Sequence, residues 1–173
     1  MSATATLTAA GSLSDQIAAR RRARAQKRSG LITIPVPGYE DLLHARYRRL
    51  DFEEKSQIAK QHEGLGDNPD EEVAAAADML LRACEDLLQP DGVDERGKPA
   101  YVSLGKRWTG PTIVDIFQLD EMPENVTARV ALRAALGGED LMDHFLAYMR
   151  QANDLDAADR EDLPGESKPS VEG

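Results

Sequence analysis

"VPGYEDLLHARYRRLDFEE", residues Val36 to Glu54, decides what kind of fold the chain builds. Tyr39, Leu43, Tyr47 and Leu50 recur at intervals of four, four and three, which on an α-helix puts them all on one face. Read this way, the stretch is the first structural helix, entered from "LITIPVPG", an extended arm in which Pro35 and Pro37 exclude helix and an inner strand position. Asp51 with Glu54 is a capping box that opens a second helix, ending near Gly64. Arg46, Arg48 and Arg49 lie among Glu40, Asp41, Glu53 and Glu54, so a mixed-charge helix surface accounts for them as readily as a partner contact does.

Downstream, the signals stay helical. Asn68 caps, Pro69 suits the first turn, and Val73, Ala76, Ala77, Leu80, Leu81, Cys84, Leu87 and Leu88 fit one helical stripe. This predicts the central core helix. "QPDGVDERGKPAYVSLGKRW" then breaks the period with turn residues, and Tyr101 to Leu104 suit a short strand in a small hairpin or loop. A short helix follows Pro111, with Ile113, Ile116 and Phe117 as its apolar face, and two more run from about Asn125 to Leu136 and Glu139 to Ala152 around Gly137 and Gly138. With 41% hydrophobic but only 5% aromatic residues, the composition also favours packed helices over a β-sandwich.

The expected fold is therefore all-α or mainly α: a compact domain of five to six helices over residues 34–153, with a short extended arm or small hairpin. Residues 1–33 are expected to be a flexible arm holding a basic helix between about Asp15 and Arg28, and residues 154–173 a disordered acidic tail. Charge is segregated accordingly: +5 over residues 1–30 and −5 over residues 154–173, in a chain of net charge −10.

That net charge argues against nucleic acid spread over the whole surface, leaving only the run Arg20, Arg21, Arg22, Arg24, Lys27 and Arg28 as a local phosphate contact. No stretch approaches eighteen apolar residues, and the amino terminus has no secretory pattern, so a soluble cytoplasmic protein without membrane contact is expected. Cys84 is the only cysteine and forms no internal disulfide.

The residues that could carry chemistry do not assemble into a known frame. His44, His62 and His144 fall on separate predicted helices without metal-ligand spacing, and Asp91, Asp94 and Glu95 lack the alternation of a calcium loop. "GKRWTG" lacks the frame of a phosphate loop, and Cys84 lies on an apolar face that disfavours a thiolate. No catalytic, cofactor-binding or metal-binding residue is therefore assigned. Candidate partner contacts are Tyr39, Arg46, Arg49 and Trp108; Trp108, in the turn-rich segment, either covers the core or anchors a partner.

The order of "VPGYEDLLHARYRRLDFEE", "ADMLLRACEDLL", a turn-rich insert and "VALRAALGGEDLMDHFLAYMRQA" resembles the tail assembly chaperones of long-tailed phages, especially those of actinobacteria, over roughly Ile34 to Asn153. The resemblance lies in pattern and contains no catalytic motif. It implies a non-enzymatic protein of viral morphogenesis in the host cytoplasm, absent from the mature virion. Such a protein binds the tape measure protein, keeps it soluble and recruits tail tube protein. Self-association and a longer frameshifted form fit the same resemblance. The alternatives are a structural tail or head-to-tail connector protein, and a small nucleic-acid-binding regulator using residues 15–28.

Overall fold

The computed structural model describes residues 11–28, 30–63 and 68–161. Six helices and a four-stranded antiparallel sheet make an α/β architecture, so the all-α or mainly α expectation is corrected. The order is α1 (Leu13–Arg28), β1 (Ile32–Pro35), β2 (His44–Tyr47), α2 (Phe52–Gln61), α3 (Pro69–Ala83), β3 (Cys84–Val93), β4 (Pro99–Ser103), α4 (Gly110–Phe117), α5 (Ala128–Leu136) and α6 (Gly138–Glu161). The strands lie in chain order, β1-β2-β3-β4, with α2 and α3 inserted between the central pair.

The opening stretch is where helix and strand competed. Leu43, Ala45 and Tyr47 alternate inward as well as Tyr39, Leu43 and Tyr47 recur by fours, and all three are buried. Pairing decides between the two readings: Ile32 lies opposite Tyr47 and Ile34 opposite Ala45, while Ala45 also lies opposite Leu87 of β3. Ile32, Ile34, Ala45 and Tyr47 thus present one apolar face to the helices, and Thr33, His44 and Arg46 form a half-buried outer face. The extended arm is β1, so a strand crosses the boundary expected between residues 33 and 34.

The expected core helix is cut short for the same reason. α3 keeps its buried stripe of Val73, Ala76, Ala77, Leu80 and Ala83, then ends at Cys84, whose ψ of 124° turns the chain directly into β3. Leu87 and Leu88 continue the helical spacing but are held in the sheet. Leu87 N–H donates to the Lys106 carbonyl at 2.8 Å, and its own carbonyl accepts from Leu104 N–H at 2.9 Å.

Local start signals match the helices closely. Asp51 and Glu54 bond reciprocally as a capping box, and Asn68, Thr109 and Thr127 each accept a first-turn N–H from α3, α4 and α5. Gly110 admits no side chain, since a Cβ there would stand 2.3 Å from the Val126 carbonyl oxygen.

α6 differs most from expectation at its far end. It runs to Glu161, so residues 154–161 are helical where a disordered acidic tail was expected. Leu141, His144, Tyr148 and Ala152 are buried, and Leu155, Asp156 and Asp159 extend that stripe as half-buried positions. The rest of the expected acidic tail, residues 162–173, and the polar start, residues 1–10, lie outside the described residues.

Candidate functional site

The β1–β2 connection builds an exposed apolar corner. Gly38 adopts a φ of +82°, accessible to glycine at little cost, and its N–H donates to the Glu40 carboxylate at 3.0 Å. The Tyr39 carbonyl then accepts from both Leu42 N–H and Leu43 N–H, closing a tight turn. Adjacent leucines consequently diverge: Leu43 is 5% exposed, Leu42 60%.

Tyr39 packs edge-on against Phe117 at the end of α4, with ring centroids 5.1 Å apart, and Phe117 in turn stacks on Trp108. Leu104, Ile116, Gln89 and Gln118 complete a groove of about 330 Å³. Gln118 caps α4 in the left-handed region, with φ of 51°, which turns the chain away and leaves the groove open. The arrangement is an apolar recess with amide groups at its edge, suited to one or two apolar side chains of another polypeptide.

The candidates read from the sequence do not converge here. Tyr39 lines the groove. Arg46 sits on the outer face of β2, its Nε 3.5 Å from the Thr33 hydroxyl. Arg49 is 9% exposed and bonds Asp156 and Asp159 of α6 at 2.9 and 2.8 Å, so its role is structural. Trp108 is 4% exposed and covers the core.

Trp108 belongs to a buried polar relay. Its indole N–H donates to the Tyr47 hydroxyl at 2.8 Å, and that hydroxyl lies 2.7 Å from His144 Nε2. Indole is donor-only, so the Tyr47 oxygen accepts from Trp108 and links it to the imidazole. Burial holds His144 down at about 4 and raises Tyr47 well above the usual phenol range. Burial also lifts Cys84 to about 11, which keeps it a thiol.

Comparison with protein-family models, curated proteins and solved structures gives no match in any of the three.

Among the described residues, no three or more histidine, cysteine, aspartate or glutamate side chains are grouped to hold a metal ion, and no helix is long and apolar enough to cross a membrane. Leu42 and Phe117 are the site residues that sequence reasoning missed. The doubled leucine at 42–43 was the available signal, because in a strand or a tight turn two successive side chains point to opposite sides.

Proposed function

We propose that this chain is a phage tail assembly chaperone, a non-enzymatic protein that holds the tape measure protein in solution and brings tail tube protein to it in the host cytoplasm. Besides the sequence resemblance, the observation that carries the reading is the open groove at Tyr39, Leu42 and Phe117, an exposed apolar recess on a strongly acidic molecule. An amphipathic helix laid across it would cover Leu42 and the exposed part of Tyr39, each contributing up to about 2 kcal/mol. Anchors of that size hold reversibly, as suits a factor that departs from the finished tail. The net charge of −10 keeps such a complex from aggregating.

Co-expression with the tape measure protein encoded nearby tests this. The two should co-purify and the tape measure protein should become soluble; repeated failure of both contradicts the reading.

A second reading, a structural tail or connector protein, draws on α1: every side chain described from Leu13 to Ala23 is exposed, as in an arm that reaches a neighbouring subunit. Mass spectrometry of purified particles separates the two, since abundant chain in the virion favours the structural role and its absence favours the chaperone.

A further inference from the structure

A second recess, of about 450 Å³, shares no lining residue with the Tyr39 groove. Ile58, Leu81, Cys84 and Trp108 give it an apolar floor, and Gln61, Asp78 and Thr109 line it together with Arg82, Arg107 and Arg129. Three guanidinium groups around one concavity are notable in a chain of net charge −10.

The carboxylates nearby are already engaged. Asp78 is bonded by Arg129 at 2.8 Å and by His62 at 2.8 Å, and Glu71 takes the other nitrogen of His62 at 3.0 Å. Glu54 accepts both arms of the Arg48 fork, at 2.9 and 2.6 Å, together with the Asp51 N–H. Glu85 is shared at longer range, 3.4 Å from Arg48 and 3.5 Å from Arg107. Arg82 comes no nearer to Glu54 than 4.0 Å. Arg82 and Arg107 therefore stand well outside the roughly 2.7–2.9 Å at which a guanidinium satisfies itself on a carboxylate. Arg48, Arg82, Arg107 and Arg129 match Glu54, Glu71, Asp78 and Glu85 in number, so what the recess offers an anion is the loose pairing of Arg82 and Arg107 rather than a net charge.

We infer that this recess is a docking site for an acidic peptide segment of a partner protein, with a glutamate or aspartate carboxylate received by Arg82 and Arg107 and an adjacent apolar side chain resting on the Leu81 and Trp108 floor. Charge complementarity selects the carboxylate, and the apolar floor selects a peptide over a bare ion. The acidic body disfavours a polyanion such as nucleic acid, whose many charges would meet the surrounding carboxylates. The site is separate from the Tyr39 groove and does not depend on the chaperone reading.

Trp108 is the only tryptophan of the chain and forms part of the floor, so its fluorescence reports occupancy. The experiment titrates the full chain at low salt with a capped tetrapeptide of alternating leucine and glutamate, with its glutamine counterpart, and with inorganic phosphate. The glutamate peptide should give a saturable change that weakens about tenfold in Arg82→Gln/Arg107→Gln and weakens further with added salt, while the glutamine peptide gives none. Circular dichroism checks folding; should the double variant unfold, Arg107→Gln alone, at a side chain 65% exposed, must still weaken binding. Equal responses to the two peptides, no saturation into the millimolar range, or unchanged affinity in the arginine variants overturns the proposal. A response to phosphate without one to the peptide overturns the peptide occupant.

Discussion

One guanidinium nitrogen of Arg49 stands 2.9 Å from a carboxylate oxygen of Asp156, joining residues 107 positions apart and fastening the end of α6 beside the sheet. Asp159 binds the same nitrogen at 2.8 Å, so one buried arginine holds two acids on successive turns. Arg49→Gln should leave the domain folded but cost about 2 kcal/mol, because the acids are partly solvated and only the arginine is deeply buried. Hydrogen exchange should then quicken selectively over residues 154–161. Unchanged protection there would show that the end of α6 is held by other contacts.

The Trp108, Tyr47 and His144 relay predicts a larger effect from a smaller change. Tyr47→Phe removes one oxygen and leaves both the indole N–H and His144 Nε2 without that partner in the interior. Each orphaned group costs about 1–3 kcal/mol, so urea unfolding should show a combined loss of about 2–6 kcal/mol. A variant as stable as the parent would mean the relay is not formed.

His144, buried, and His62, half-buried between two carboxylates, give stability opposite dependences on pH. Burial keeps His144 neutral down to about 4, whereas the unfolded ring protonates near 6.5. Its contribution is therefore complete above 6.5 and is lost as pH falls through about 4, on the order of 3 kcal/mol in all. His62 is raised instead, first by its bond to Glu71 and then by Asp78. Its contribution is complete below 6.5 and fades as pH rises through its folded pKa. Unfolding free energies measured across pH for the parent and for His62→Gln should differ most on the acid side and converge on the alkaline side. A constant difference would contradict the double clamp.

These relationships explain which parts of the fold were legible in the sequence. The capping box at Asp51 and Glu54, the caps Asn68 and Thr109, and the stripe of α3 act within four residues, so a local reading meets them directly. The sheet is not local. His44–Tyr47 is four residues long and is a strand because its partners come from Ile32–Pro35 and from Cys84–Leu88. Leu43 and Tyr47 satisfied both periods, and Leu87 and Leu88 extended a helical stripe that Cys84 had already left. Arg49 looked like a surface charge because its acids lie in a segment whose composition reads as tail; the spacing of Ala152, Leu155 and Asp159 was the quieter signal that the helix continues. Tyr39 was legible as a candidate, but the groove needed Phe117 brought against it from α4.

Adjacent leucines separate fold from function. Leu43→Asp places a charge in the core and should unfold the domain, as should Leu50→Asp, both parent side chains being 5% exposed. Arg46→Glu, on the outer face, should leave it folded. Leu42→Asp should likewise fold normally while disabling the groove.

Co-expression of the tape measure protein with the parent chain and with Leu42→Asp, scored by soluble tape measure protein and by co-purification, tests the central claim most directly. The groove-based account predicts that the parent solubilises and retains its partner and that the folded Leu42→Asp chain does neither. Equal performance by the two chains, or a tape measure protein that neither keeps in solution, would contradict it.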